Sequence, residues 1–439
     1  MVFLQNVWWY LVLIGVMILI HELGHYWAAR FFDVRIEAFS FGFGPRLFGF
    51  RRGETDFRFS AILFGGYVKM AGEQPGEEIG DDPRAFLSKP RWQRVIIAAA
   101  GPLINIVLAV ALLAGLFMYT FPKLPTKHSP MIAYLAPDGA AAKAGIKEGD
   151  QILEIDGKVD PDWDDVQIKE IAAAQKTILV VVRRNGERLS IPVTPVLDEK
   201  RGGIGWLGWM EEADIEIAAV GPGKPADLAG LKRGDIFVDV NGVRIRSTHK
   251  VNEAIRSAEG KPVTINYLRD GKPQTTSVSA LKETVEGQER WMIGIALEPH
   301  FIMTKLSMVG AIRESVKQNM NNATLIYKFL EGIAERRMSP KSLEGPIRIA
   351  QLSGDAARAG AGPFFGLMAM VSLNLAIFNL LPIPILDGGV ILLLLVEMIM
   401  RRDLSLRVKE AVVRVGFVFL MVIVVFVLYN DLSKVLPAG

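Results

Sequence analysis

Apolar residues gather into four long runs, at residues 7–27, 95–118, 364–400 and 412–428. A helix crosses a bilayer on about 20 mostly apolar residues, so the pattern predicts four transmembrane helices. The third run is interrupted by LPIPILDGG. Residues 120–360 instead show short alternating stretches and turn dipeptides, then amphipathic helical spacing, as in ATLIYKFLEGIAERRM. The expected fold is a polytopic α-helical membrane protein with an α+β insertion between the second and third spans. An N-terminal apolar run can also be a cleaved signal peptide. Here MVFLQN has no Lys or Arg and no small-residue cleavage site follows, so the run is expected to be retained.

The insertion is duplicated. Residues 136–157 (APDGAAAKAGIKEGDQILEIDG) align with residues 221–242 (GPGKPADLAGLKRGDIFVDVNG) at an offset of 85, and the same offset aligns VVVRRNGERLSIPV with INYLRDGKPQTTSV. Such self-similarity marks a repeated unit. Each copy reads as a short helix ending at glycine, then a strand, then a hairpin at Asn185-Gly186 or Asp270-Gly271. The pattern resembles PDZ domains of the bacterial protease type. That resemblance implies two tandem PDZ-like α+β domains, at 125–210 and 211–290, each with a groove for an added peptide strand. Two β-rich spacers without a ligand are the plainer alternative. The other expected parts are a first span at 1–30, a loop at 31–92, a second span at 93–120 and amphipathic linker helices at 300–360. The third membrane region then covers 362–400 and the fourth span 410–430.

Charge sets the orientation. The net charge of the 439 residues is only +3, which indicates no nucleic-acid surface. Lys and Arg are absent from residues 1–9 but frequent between Arg30 and Arg91, and Arg401, Arg402, Arg407 and Lys409 follow the third run. By the positive-inside rule both of those connections are cytoplasmic. Both termini and the duplicated segment then face the periplasm of a bacterial inner membrane.

The candidate chemistry lies at the end of the first run, in ILIHELGHYW. On a helix His21 and His25 share one face, and Glu22 sits beside them. H-E-x-x-H is the zinc hydrolase signature, with two ligands and a general base. In a soluble helix it is often a surface coincidence, but ionisable residues within a membrane span are a functional hypothesis by default. With no cysteine in the chain, the third ligand must be carboxylate or histidine. His128, His249 and His300 fall in the exported segment. The leading candidate is Asp387, where Pro382, Pro384, Gly388 and Gly389 break the helix; broken backbone at membrane depth is tolerated only beside protein or a water-filled cavity. Glu37 and Glu397 remain rivals.

With this motif near the start, NLLPIPILDGG near the end and paired PDZ-like repeats between, nearly the whole chain resembles the site-2 proteases, in the bacterial regulator-of-sigma-E branch. The resemblance implies an intramembrane zinc metalloprotease with His21, His25 and Asp387 as Zn2+ ligands and Glu22 as catalytic base. It implies that Asn379, which opens the N-x-x-P-x-P-x-L-D-G motif, holds the substrate backbone; a satisfied polar group inside the bundle is its bland alternative. FGFGP (41–45) and AILFGGYVKM (61–70) resemble the family's membrane-associated β-hairpin, though Leu63 and Phe64 stand where many relatives have a proline. GPLIN (101–105) matches a motif of the second span, read as close helix packing. Implied substrates are single-span membrane proteins: anti-sigma factors already trimmed in the periplasm, and remnant signal peptides. The PDZ pair would exclude untrimmed substrates. Two other readings are a membrane-anchored PDZ scaffold that binds peptide tails without cutting, and a metal transporter. Glu22 argues against the first, and the absence of an inverted repeat against the second.

Overall fold

The computed structural model describes residues 2–73, 82–119, 121–123, 130–198, 203–285 and 288–435. It divides into two compact units: residues 1–121, 305–327 and 343–439 form one, and residues 122–304 with 328–342 the other. Among the described residues, four helices are long and apolar enough to cross a membrane: α1 (Val2–Phe31), α2 (Arg91–Tyr119), Ala361–Leu380 and Leu406–Lys434.

In the first unit α1 packs on α2, and α2 on the helix Ala361–Leu380. Leu13, Met17, Phe364 and Met368 form a buried cluster, with the Trp9 ring set edge-on to Phe364 at 5.1 Å. A shorter helix, Pro346–Ala359, lies against α1. Its N-terminus is capped from far along the chain, as Asp431 accepts hydrogen bonds from Gly345 N at 2.9 Å and Ile347 N at 3.0 Å. A buried carboxylate there satisfies donors that the first helical turn leaves open.

The third apolar run is two helices, Ala361–Leu380 and Asp387–Met400. Pro382 and Pro384 lack the N–H that a continuous helix requires. The connecting turn is tight: a Cβ on Gly388 would lie 2.2 Å from Leu381 O. Ile385 adopts φ of 84°, a left-handed conformation that a β-branched residue takes only under constraint. Asp387 therefore starts a fresh helix, its side chain half-buried.

The hairpin between α1 and α2 is wider than a two-stranded ribbon. β1 (Ile36–Arg52) and β2 (Thr55–Met70) both bend, so residues 38–41 are paired on two sides; Ser40 lies opposite both Arg58 and Tyr67. Residues 66–70 become an outer edge. Beyond the bend, Phe48, Phe50 and Ile62 are exposed, and cross-strand stacks join Phe48 to Phe59 and Phe50 to Phe57.

In the second unit the duplication persists to individual hydrogen bonds. The hairpins Ile178–Arg184/Glu187–Val193 and Pro262–Arg269/Lys272–Ser279 turn at Asn185-Gly186 and Asp270-Gly271, all with positive φ. Arg184 grips the buried Asp150 at 2.6 and 2.7 Å and donates to Gly145 O; Arg269 does the same to Asp235, at 2.7 Å twice, and to Gly230 O. This bidentate pair accounts for the recurring Gly-Asp, because an aspartate buried to 1 % exposure needs a fixed cation. The second sheet runs on to the strand Ile295–Pro299, which pairs with Ile215–Val220. The copies differ at one helix. Glu170 accepts from Leu207 N and Trp209 Nε1, whereas the position 85 residues on is the apolar Ile255. Glycine at 205 lets the strand Ile204–Trp206 sit directly on that first helix, since a Cβ there would lie 2.2 Å from Glu170 O.

Candidate metal centre

His21 and His25 project from adjacent turns of α1 and are both buried. Their Nε2 atoms are 3.2 Å apart. Asp387 comes from the start of its broken helix, with Oδ2 3.2 Å from His21 Nε2 and Oδ1 3.5 Å from His25 Nε2. With metal–ligand bonds of about 2.0–2.2 Å, donors at the corners of a tetrahedral zinc site stand about 3.3 Å apart. The separation of the two imidazole nitrogens and that of His21 Nε2 from Asp387 Oδ2 match that spacing, and Oδ1 lies nearly as close to His25. Two imidazoles with one carboxylate are a donor set zinc takes.

Each imidazole is oriented from α2. His25 Nδ1 donates to Ile97 O at 2.8 Å, which leaves its Nε2 lone pair facing Asp387. His21 Nδ1 lies 3.3 Å from the side-chain amide nitrogen of Asn105, whose own Oδ1 is buried without a partner. To present Nε2 to a cation, His21 must carry its proton on Nδ1, so its partner there must be an acceptor. Turning the Asn105 amide by half a rotation brings Oδ1 to that proton. Both histidines then follow the rule that a ligating imidazole donates its second N–H to a fixed acceptor. Gly101 lies between these two contacts, and a Cβ on it would fall 2.2 Å from His25 Nε2. On this basis Asn105→Leu, which cannot accept, is expected to weaken zinc retention by about 10- to 100-fold, while Asn105→Asp keeps most of it; competition with a chromophoric chelator reads both.

Glu22 completes the group. On the hairpin edge, the Val68 backbone lies close enough to influence its carboxylate, and Gly66 packs within reach of its Cγ. His21, Glu22, His25 and Asp387 all line one cavity of about 610 Å³, whose other walls are edge residues Gly66–Val68, α2 and the helix Asp387–Met400.

The remaining candidates stand outside the His-His-Asp cluster, although Glu397 lines the same cavity. Glu37 pairs with Lys69 at 2.7 Å, and Glu397 is buried against Lys409 at 2.7 Å. Asn379 is half-buried near the end of the helix Ala361–Leu380 and is not among the residues lining the cavity. His249 stacks on Tyr134 and His300 pairs with Glu216, both in the second unit. His128 lies outside the described residues. Sequence reasoning missed Asn105 and Gly101, assigning GPLIN to helix packing alone. A polar side chain in the middle of an apolar run was the available signal for Asn105.

Four helices apolar enough to cross a membrane, together with a His-His-Asp cluster whose histidines are buried and a glutamate beside it, are the framework of a membrane metallopeptidase. The model of peptidase family M50 matches residues 9–423, and the chain belongs to that family, the site-2 proteases. It is 30% identical to the regulator of sigma-E protease RseP of Salmonella typhimurium, over 98% of this chain and 99% of the relative. A candidate zinc metalloprotease of Xylella fastidiosa is 33% identical over 98% and 99% of the two chains. One of Neisseria meningitidis is 31% identical over 96% and 97%. Among solved structures, the PDZ domain of an SdrC-like protein from Listeria monocytogenes is similar over 19% of this chain and 87% of its own, with 23% identity and a TM-score of 0.18. The protein is a zinc-dependent metalloendopeptidase.

Proposed function

We propose that this enzyme hydrolyses peptide bonds within the membrane-spanning segments of single-span proteins, with His21, His25 and Asp387 holding zinc and Glu22 as the base. The observation that carries this reading is the convergence of those four side chains beside a free strand edge, in a cavity among apolar helices. A helical segment hides its peptide bonds in internal hydrogen bonds, so it must unwind before it is cut. The edge at residues 66–70 offers backbone partners to the extended form, in the manner of β-augmentation. Asn379 would hold the same segment further along.

Bound zinc supplies Lewis acidity toward a carbonyl and toward water. Glu22 accepts a proton as water oxygen bonds to the carbonyl carbon, and returns it to the amide nitrogen as the C–N bond breaks. One water is consumed, leaving a carboxylate and an amine. Ile97 and Asn105 keep the imidazoles in register throughout.

By likeness to RseP, whose name ties it to sigma-E regulation, the substrates are anti-sigma factors trimmed on the periplasmic side, together with remnant signal peptides. The duplicated unit would face the periplasm and exclude bulky, untrimmed chains. The direct packing of the strand Ile204–Trp206 on its helix supports a filter over a peptide receptor for the first copy, because no gap remains there for an added strand.

The test is cleavage in detergent of a tagged single-span substrate, with and without its soluble domain. Expected are a cut mapped by mass spectrometry inside the apolar segment, faster cutting of the trimmed form, arrest by a chelator and recovery with zinc. Cutting only outside the apolar segment would remove the intramembrane assignment.

A further inference from the structure

The same cavity contains a cation that the hydrolysis above does not use. Arg94, on the α2 face that also presents Ile97, Gly101 and Asn105, is 5 % exposed and lines the cavity. Its Nε has no hydrogen-bond partner. Glu397 and Asp403 lie near enough to attract it, but their direct contacts go to other cations. Lys409 donates to Glu397 Oε1 at 2.7 Å, and Arg91 donates to Asp403 at 2.9 Å, with a longer contact of 3.9 Å to Glu397. Glu73, also on the cavity wall, is solvent-exposed and accepts from Met70 N. Among the described residues no ion pair joins Arg94. Arginine is almost never this buried unless paired, since an uncompensated buried charge is costly. Between Arg94 and the metal-binding end, the lining is apolar, including Phe86, Ile97, Val390 and Leu394.

We propose that Arg94 anchors a carboxylate subsite in this cavity, taking an acidic side chain or a chain-terminal carboxylate of the substrate. The register follows from helix geometry. Gly101 touches His25, and Arg94 is seven residues away, about 10 Å along the helix. An extended strand covers about 3.3 Å per residue, so the carboxylate sits about three residues from the bond that is cut. The segment between is apolar, in keeping with the wall it crosses. The subsite rests on the assignment of the reacting end to His21, Glu22, His25 and Asp387.

The experiment walks a single glutamate, each matched by glutamine and by lysine, through the five positions on either side of the mapped cut in a tagged single-span substrate. Full-length wild type, Arg94→Gln and Arg94→Lys are compared in neutral detergent. Wild type should prefer glutamate to glutamine by about tenfold in kcat/KM at one position near the third, mainly through KM, and should reject lysine there. Arg94→Gln should bring the glutamate-to-glutamine ratio near one, and Arg94→Lys should retain part of it. Truncated substrates ending at that position, with free or amidated termini, tell a side-chain carboxylate from a terminal one. Cleavage with no charge preference at any position overturns the subsite alone, and then a water bridging Arg94 and the unpartnered Oε2 of Glu397 accounts for both groups. A preference that survives in Arg94→Gln overturns Arg94 as its source. A rate that follows added phosphatidylglycerol instead of substrate charge assigns Arg94 to a lipid headgroup, and also overturns the proposal. If Arg94→Gln does not fold, Arg94→Lys still decides, since a glutamate-to-glutamine ratio undiminished from wild type overturns Arg94 as its source. Absence of all chelator-sensitive cleavage would instead remove the protease reading beneath it.

Discussion

Glu22→Gln is expected to lower kcat by at least about 100-fold while zinc content stays at the wild-type level. Proton transfer by a placed carboxylate contributes roughly 10²- to 10⁴-fold, and glutamine cannot accept the proton. The substitution removes little else. Glutamine keeps the length of the side chain and one side-chain oxygen, and both histidines and Asp387 are untouched. Metal analysis beside single-turnover cleavage separates the possibilities. Loss of zinc together with activity would mean that Glu22 supports the ligand cluster. Unchanged cleavage would remove it from the reaction.

Gly101→Ala should be comparably damaging for a different reason. Alanine in a helix interior is ordinarily favoured over glycine by roughly 0.5–1 kcal/mol, so propensity alone predicts a more stable protein. The added methyl, however, would stand 2.2 Å from His25 Nε2. The imidazole has nowhere to retreat, since its Nδ1 is tied to Ile97 O and its opposite side meets His21 and Asp387. It must swing away from the cluster or push α2 from α1. Zinc stoichiometry is expected to fall well below one per chain, with cleavage lost and helical circular dichroism preserved. Full zinc occupancy would show that α2 shifts without cost, and that the observed spacing is not required.

Much of this was legible in the residues. The i, i+4 histidines and the aspartate in a proline-broken apolar run each carry chemistry that their setting makes expensive, and expense in a membrane is a visible signal. The duplication was legible because Gly-Asp and the hairpin dipeptides are demanded by backbone geometry. The supports of the site were not. Ile97 acts through its carbonyl, which every residue has, and Gly101 acts by lacking a side chain. Asn105 and Arg94 belong to one stripe of α2 that only the packing of three helices turns toward the cavity. Ile385 offers no hint that its φ will be positive, because the turn, not the residue, imposes it. The double pairing of residues 38–41 was hidden for a similar reason, as a bend in two long strands leaves no periodicity of its own.

That double pairing bears on self-association. A free strand edge is a template for pairing with other chains, and proteins usually blunt it with charge, proline or a covering element. Here the edge at residues 66–70 is turned toward α1 and the cavity, whose lining Gly66, Tyr67, Val68 and Met70 share with Glu22. A second copy of the protein cannot reach it without threading a segment into the interior. The adhesive part of the sheet is thereby kept from indiscriminate partners by burial, and under the proposed function it stays unblunted for one substrate strand at a time.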